Sequence, residues 1–509
     1  MVRKLFIFFL TGASLFALDI KETIETTLSN NPDIKIYKEN VNYFKGLQQS
    51  SEGTFDTTLS STITRENDDV PNSTYYDSGV SKAHIVSYGV ELDKKFESGF
   101  DVQGGVKYQG EDVSVNGYDS SSGLSDVKVK SHYTKVYFNI TKPLLKGASS
   151  DVVTADKQLS EINTQIGLLN YKRQINSSVY KSVLSYWNYL YAVEAYKIEK
   201  DAKSRSQKLL EVTKKLIKAD ILPASGILHP TVDLNSKSSA LIIAKDSMKN
   251  AKYDLCIQIG DKLEKMDTLG EPDTQFPLPD EMILKRIDDR TYFYEMAFEN
   301  RADYQISKKN LEKSKVSLEV ATDDLKSQLD LKLYANHKNI QNDGDMYTSV
   351  TNPYDHHINE QTVGASLVYT IPIANNYAQG RQIALKSKIA QEYVQDTELK
   401  RDIKLQINKT LDNLQSIILN YDQIKDSVES YEKLLANEMK KYLLGMSTIT
   451  DVIQVQDAYD AQKMQLLQVL KSYATLLAQL NYYTGICVED ETGRYTVEHR
   501  KFLEGKQWM

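Results

Sequence analysis

The apolar positions of this chain follow two different periods, and the two alternate along it. In the second half, Ile403, Ile407, Leu411, Leu414, Ile418 and Tyr421 step by three and four. Ile424, Val428, Tyr431, Leu435, Met439 and Tyr442 continue the series, and Leu466, Leu470, Tyr473, Leu477 and Leu480 repeat it on a returning segment. Lys, Glu, Asp, Gln and Asn occupy the other faces. This spacing predicts a long, coiled-coil-like helical hairpin. Elsewhere the period is two. Leu329, Leu331, Leu333 and Ala335 alternate with Asp330, Lys332, Tyr334 and Asn336, and Val363, Ala365, Leu367, Tyr369 and Ile371 alternate with mainly polar neighbours. Thr134, Val136, Phe138 and Ile140 do the same, as do Phe55, Leu59 and Ile63. Segments of about ten residues, apolar on one face and polar on the other, are the pattern of membrane β-barrel strands; a soluble sandwich gives the same alternation.

The series occurs twice. Asn30-Asn31-Pro32-Asp33 has a counterpart in Asn300-Arg301-Ala302-Asp303, Lys142-Pro143-Leu144 in Ile371-Pro372-Ile373, and helical runs end at Gly260 and Gly485. Each half predicts a first helix (about 19–51 and 292–325), a strand region, a proline-free helix (about 148–218 and 376–444) and a second long helix. The 71 residues from 148 to 218 would span about 105 Å at 1.5 Å per residue. The first half carries about 40 more residues than the second, between Pro32 and Pro143. Within them, Tyr88, Val90 and Leu92, then Phe100, Val102, Val106 and Tyr108, read as a hairpin near 84–110 turning at Glu97-Ser98-Gly99. Asn67–Asp77, Asp112–Asp126 and Gln341–Glu360 read as loops. The domain plan is therefore a first repeat over 18–265, a connecting segment over 266–290, a second repeat over 291–486 and a tail over 487–509.

Composition adds exclusions. With 41% hydrophobic and 26% charged residues among 509, the chain is neither collagen-like nor low-complexity, and two cysteines make no disulfide scaffold. A net charge of −7 gives no reason to expect nucleic acid. Arg3 and Lys4 precede a short apolar run from Leu5 to Leu10, so residues 1–17 read as a signal peptide, with no cysteine following for a lipid anchor. No phosphate loop, nucleophile elbow or zinc motif occurs, so the chain is expected to be no enzyme and to need no cofactor. His356-His357 is a weak metal candidate in a predicted loop.

Gly445-Met446-Ser447-Thr448-Ile449-Thr450-Asp451-Val452-Ile453-Gln454, Asn300-Arg301-Ala302-Asp303, Lys142-Pro143-Leu144-Leu145-Lys146-Gly147 and Asn31-Pro32 occur in the order and spacing of a known group. In these segments the chain resembles the TolC-like outer-membrane efflux proteins, over about 19–486. The resemblance implies a mainly α fold with a membrane β-barrel part. Duplicated helical hairpins would form a trimeric α-barrel continuous with a shared 12-stranded β-barrel, two strands coming from each repeat. It implies a homotrimeric exit duct spanning outer membrane and periplasm, fed by a periplasmic adaptor and an inner-membrane transporter, in tripartite efflux or type I secretion. The hairpin near 84–110 is surplus to that plan, and either extends the barrel strands or lies beside the barrel.

By the same resemblance Asp451 and Gln454 match the acidic constriction of the tunnel, where three Asp451 carboxylates would face one another; a helix cap is the competing role for Asp451. Two hairpin tips are candidate docking sites for the adaptor. One is Asp220, Ile221, Leu222 and Pro223, which lacks the usual glycine; the other is Leu443, Leu444, Gly445, Met446, Ser447 and Thr448. Packing within the turn is the alternative for their apolar residues. Tyr186, Trp187, Tyr189, Tyr191 and Tyr196 read as dense helix packing. Cys256 and Cys487 either form a disulfide or stay free. A secreted coiled-coil structural or adhesive protein would keep the helices and leave the duplicated strands unexplained.

Overall fold

The computed structural model describes residues 18–69, 80–119, 123–260, 269–279, 283, 287–342, 358–491, 494–497 and 499–502. The expected signal peptide and His356-His357 lie outside them. The chain divides into two compact units. One comprises residues 43–164 and 310–393, and the other comprises 1–42, 165–309 and 394–509.

The first unit is built on one antiparallel sheet. Its strands are β1 (Thr57–Asp69), β2 (Val80–Lys95), β3 (Asp101–Asp119), β4 (Gly123–Pro143), β5 (Gln328–Asn342) and β6 (Ile358–Thr370). Spatial order equals chain order, β1-β2-β3-β4-β5-β6, and no β1–β6 pairing closes it among the described residues. This corrects the expected four strands to six. The surplus hairpin is inserted in line, between β1 and β4. The strands also run on into stretches read from sequence as loops, because β1 reaches Asp69, β3 reaches Asp119 and β4 starts at Gly123.

Register fixes what each face carries. Directly opposed residues share a face, and Leu59, Leu92, Gly104, Phe138, Ala335 and Val363 form one row across all six strands. The next row on that face holds Val90, Val106 and Val136 with Ser61, His337 and Gln361, and the one after it Ile63, Tyr88 and Tyr108 with Thr134, Asn339 and Asn359, where the apolar band ends. The opposite face holds Ser60, Glu91, Tyr137, Asn336 and Thr362 in one row and Thr62, Lys107, Lys135, Lys338 and Glu360 in the next. The apolar side chains stand out uncovered: Leu59 is 69% exposed, Ile63 73% and Val363 83%.

The second unit is helical. Its elements include α1 (Ile20–Asn30), the first part of α2 (Pro32–Glu52), most of α4 (Ala155–Lys218), which follows the one-turn α3 (Ser150–Val153), and α5 (Leu228–Ile259). The second half contributes α6 (Arg290–Asn300), the start of α7 (Ala302–Asp323), most of α8 (Asn376–Leu443) and α9 (Ile449–Thr484). At 64 and 68 residues, α4 and α8 are each about 100 Å long by the helical rise. No helix among the described residues is long and apolar enough to cross a membrane.

Two cores hold these helices. In the first, Ile20 and Ile24 of α1 pack with Val179, Val183, Tyr186 and Trp187 of α4 and with Leu255 and Ile259 of α5. Tyr189 lies in the same core, and the Tyr186 hydroxyl donates to Leu18 O at 3.1 Å. In the second, the seam Ile403, Ile407, Leu411, Leu414 and Ile418 meets Tyr473, Leu477 and Leu480 of α9, with Phe293 and Ala297 of α6. The tail beyond 487 docks too: Asn481 Nδ2 donates to Lys501 O at 2.9 Å, and Phe502 is fully buried. Cys256 and Cys487 are both buried and neither is in a disulfide, so the possible bond between them is not formed. Burial pushes the Cys487 thiol far above its ordinary range, which leaves it inert.

The predicted first helices are each broken once, and the two breaks are equivalent. At the first, Asn31 Oδ1 accepts from the Asp33 and Ile34 amides while Pro32 opens α2. Asn31 Nδ2 donates to Gln258 O at 2.9 Å. At the second, Arg301 forks onto Asp303 (3.0 and 2.7 Å) and donates to Tyr483 O at 3.2 Å. Gln258 and Tyr483 each stand two residues before the glycine that ends α5 or α9. Gly260 and Gly485 have φ +73° and +77°, and a Cβ on either would come within 2.9 Å of backbone at Asn30–Asn31 or Asn300–Arg301. Glycine is thus required twice over, for its left-handed φ and for the close approach. We predict that Gly485→Ala lowers unfolding stability by about 2 kcal/mol or more, from the left-handed penalty plus the clash. Gly226→Ala, whose Cβ meets nothing within 4 Å, should change it little. Thermal unfolding followed by far-ultraviolet circular dichroism measures both.

Candidate functional site

The two hairpin tips come together, and they share one backbone design. At the second, Gly445 takes φ +75°, Met446 N donates to Lys441 O (2.8 Å) and Gly445 N to Tyr442 O (3.0 Å). At the first, Asp220 takes φ +52°, Ile221 N donates to Leu216 O (3.0 Å) and Asp220 N to Ile217 O (3.0 Å). These are matching Schellman motifs. The glycine missing from the first tip is replaced by an aspartate, one of the few side chains that tolerate the left-handed region. Beneath the turns Leu209, Tyr442 and Val452 form a small buried core, and Thr213 Oγ1 lies 3.0 Å from Tyr442 Oη.

The candidate docking residues separate into two groups. Leu222 packs against that core. Ile221 (60%), Leu443 (51%), Leu444 (74%) and Met446 (74%) stand exposed, as do Asp220 and Pro223 on the first turn. Ser447 Oγ donates to the Glu438 carboxylate, which also meets Lys441 at 3.2 Å, and these contacts hold Glu438 below the usual carboxylate range.

Asp451 serves as a cap. Its amide donates to Thr448 Oγ1 (3.2 Å), while Thr448 N (3.0 Å) and Thr448 Oγ1 (2.6 Å) donate to Asp451 Oδ2, a closed capping box at the start of α9. Those hydrogen bonds from Thr448 hold the Asp451 carboxyl below its ordinary value, so it is ionised at neutral pH. Gln454 lies one turn further along α9 and is exposed.

A charged network missed by the sequence analysis lies deeper along the same hairpins. Arg205 of α4 pairs closely with Asp460 of α9, and Lys237 of α5 reaches Asp457 at 2.6 Å and Asp460 at 3.4 Å. Ser206 Oγ donates to Asp233 Oδ2 at 2.5 Å. Burial pushes the Asp460 carboxyl up, against the pull of Arg205 and Lys237. The contacts clamp both helices of the first hairpin to the returning helix of the second. Their trace in the sequence is an aspartate at 460, on a buried helix face that also carries Val452, Gln456, Tyr459 and Leu467.

With sheet, long hairpins and tips described, the chain can be set beside solved structures. It matches the Campylobacter jejuni CmeC outer membrane channel at a TM-score of 0.64 and 13% identity, covering 92% of this chain and 85% of that one. It matches the outer membrane protein VceC of Vibrio cholerae at 0.65 and 11% identity, over 92% and 96%. The open-state MtrE outer membrane channel of Neisseria gonorrhoeae gives 0.61 and 11%, over 92% and 89%. This chain has the TolC-like outer-membrane channel fold. No protein-family model and no curated protein matches the sequence. At such identities the channel fold is what the likeness carries, and side-chain roles rest on the geometry above.

Within this channel fold, a charge left alone by removal of its partner is costly. Arg205→Ala is expected to destabilise the protein by about 2–4 kcal/mol, and Asp460→Asn added to it should recover part of that loss. A double-mutant cycle in denaturant measures the coupling; strictly additive losses would show that the pair is not coupled.

Proposed function

We propose that this protein is a homotrimeric exit duct of the outer membrane. It would passively conduct substrates delivered by an inner-membrane pump and a periplasmic adaptor, in tripartite efflux or type I secretion. One observation carries the reading: a sheet with an apolar face, a polar face and two edges unpaired among the described residues shares a chain with hairpin helices of 64 and 68 residues. Backbone groups on a sheet edge cannot stay unpaired in hydrocarbon. Copies of the chain joined β6 to β1 would pair them and turn the apolar face to lipid and the polar face to water. Leu228, Val232, Ile242, Ile243 and Ile257 leave α5 with uncovered apolar side chains, which neighbouring copies would bury. The likeness to outer-membrane channels supports the same placement.

The duct would narrow at the tips, where Asp451 and Gln454 of three copies converge. There Oδ2 of Asp451 caps α9, and its exposed carboxylate would line the opening. Ile221, Leu443, Leu444 and Met446 would seat the adaptor. In planar lipid bilayers the purified full-length protein should give discrete ion-conducting events, with Asp451→Asn altering block by divalent cations. Absence of conductance from a protein recovered in the outer membrane would overturn the duct. For the tips, Leu444→Ser combined with Met446→Ser should reduce cross-linking to the adaptor at least about tenfold while leaving conductance intact; unchanged cross-linking would remove the docking role.

A further inference from the structure

The insertion of β2 and β3 changes the size of the wall. We propose that this hairpin is an integral membrane-facing part of the barrel, so that three copies close eighteen strands instead of twelve around an unusually wide exit pore. The inference rests on the trimeric reading.

Three observations place the hairpin in the wall. The first is register. From Lys82 to Lys94 the rows of the sheet pass through β2 and β3 unbroken: Leu59 faces Leu92, Leu92 faces Gly104 and Gly104 faces Phe138. The second is the pleat. Val90, Leu92 and Val106 lie on the apolar face with Ile63 and Val136, while Glu91 and Lys107 lie on the polar face. A hairpin beside the barrel, or one lengthening strands beyond the membrane, would need no lipid face at the height of its neighbours'. On the polar face, side chains of β4 reach across the insertion. Tyr137 passes over Gly105, where a Cβ would meet its hydroxyl at 2.7 Å, and donates to Glu91 on β2. Asn139 donates to Gln103 at 2.9 Å. On the other face the rings of Tyr88, Tyr108 and His132 stack in series, 6.0 and 6.1 Å apart, at the end of the apolar band where an aromatic girdle belongs.

The third observation is the turn, which is anchored to the junction where strands give way to helices. Glu97 pairs with Lys157 at 2.7 Å. Lys142 donates to Ser98 O and lies 5.0 Å over the Phe100 ring. Gly99 takes φ +83°, and a Cβ there would come within 3.2 Å of Val153. The hairpin is thus held at the same base as β4, in a single orientation.

Strand number sets calibre. With strands about 4.8 Å apart and tilted by about 40°, twelve strands close at a backbone diameter of about 24 Å and eighteen at about 36 Å. The enclosed area rises about twofold, into the range where barrels hold open aqueous channels.

Electron cryo-microscopy of the full chain in lipid nanodiscs tests this. The expected result is a threefold particle with eighteen strands. A threefold particle with twelve strands and residues 80–119 off the wall would overturn the inference and leave the trimer standing. A particle without threefold symmetry, such as two copies closing twelve strands, would overturn the trimeric reading and the count with it. A second measurement needs no map. Val90→Cys should react with a membrane-soluble maleimide and resist a charged one, whereas Lys107→Cys should react with the charged reagent; the native thiols are buried. Equal labelling of both positions by the charged reagent would also overturn the wall assignment.

Discussion

Each edge of the six-stranded sheet ends in a 13-residue strand, and half of that strand's backbone donors and acceptors point away from the sheet. In water such groups find solvent. In hydrocarbon each costs several kcal/mol, so a row of them exceeds the whole stability of an ordinary domain. A chain carrying this sheet therefore cannot rest in a bilayer alone. In the proposed trimer the uncovered apolar residues of α5 would gain their packing energy on assembly, against a neighbouring copy.

Within the chain, stability is organised around two equivalent joints. Asn31 reaching Gln258 O and Arg301 reaching Tyr483 O solve one problem with different chemistry. Each satisfies a carbonyl at the end of a helix, where backbone groups lack intrahelical partners. Each also presses on a glycine that no other residue could replace without strain. The tips repeat the theme, with Gly445 and Asp220 supplying the same left-handed turn. Duplication has kept the geometry and let the side chains drift.

Much of this was legible in the sequence, because helical and strand periods are local properties. The ends of α5 and α9 follow from Gly260 and Gly485, and the seam from Ile403 to Ile418 is the buried face observed. The break at Asn31 escaped because α1 and α2 share one apolar stripe, so periodicity runs through it. The strand count failed for a different reason. Alternation marked Tyr88–Tyr108 as a hairpin, but which strand it pairs with depends on contacts far apart in sequence, and a four-strand plan left it no place. Asp451 was ambiguous because a helix-capping carboxylate and a pore carboxylate occupy the same position. The Arg205–Asp460 pair was invisible, since a single charge on a helix face does not announce its partner.

The in-line placement of β2 and β3 also bears on how such proteins change over evolutionary time. A meander accepts new strands only in pairs. One added strand would reverse the direction of every strand after it and send α8 off from the wrong end of the sheet. A hairpin returns the chain to the side it left, and an insertion that respects the pleat leaves inside and outside unchanged. Genes for such proteins can therefore alter the bore in fixed increments, by a local duplication confined to one loop, while everything that contacts the rest of a machine stays as it was.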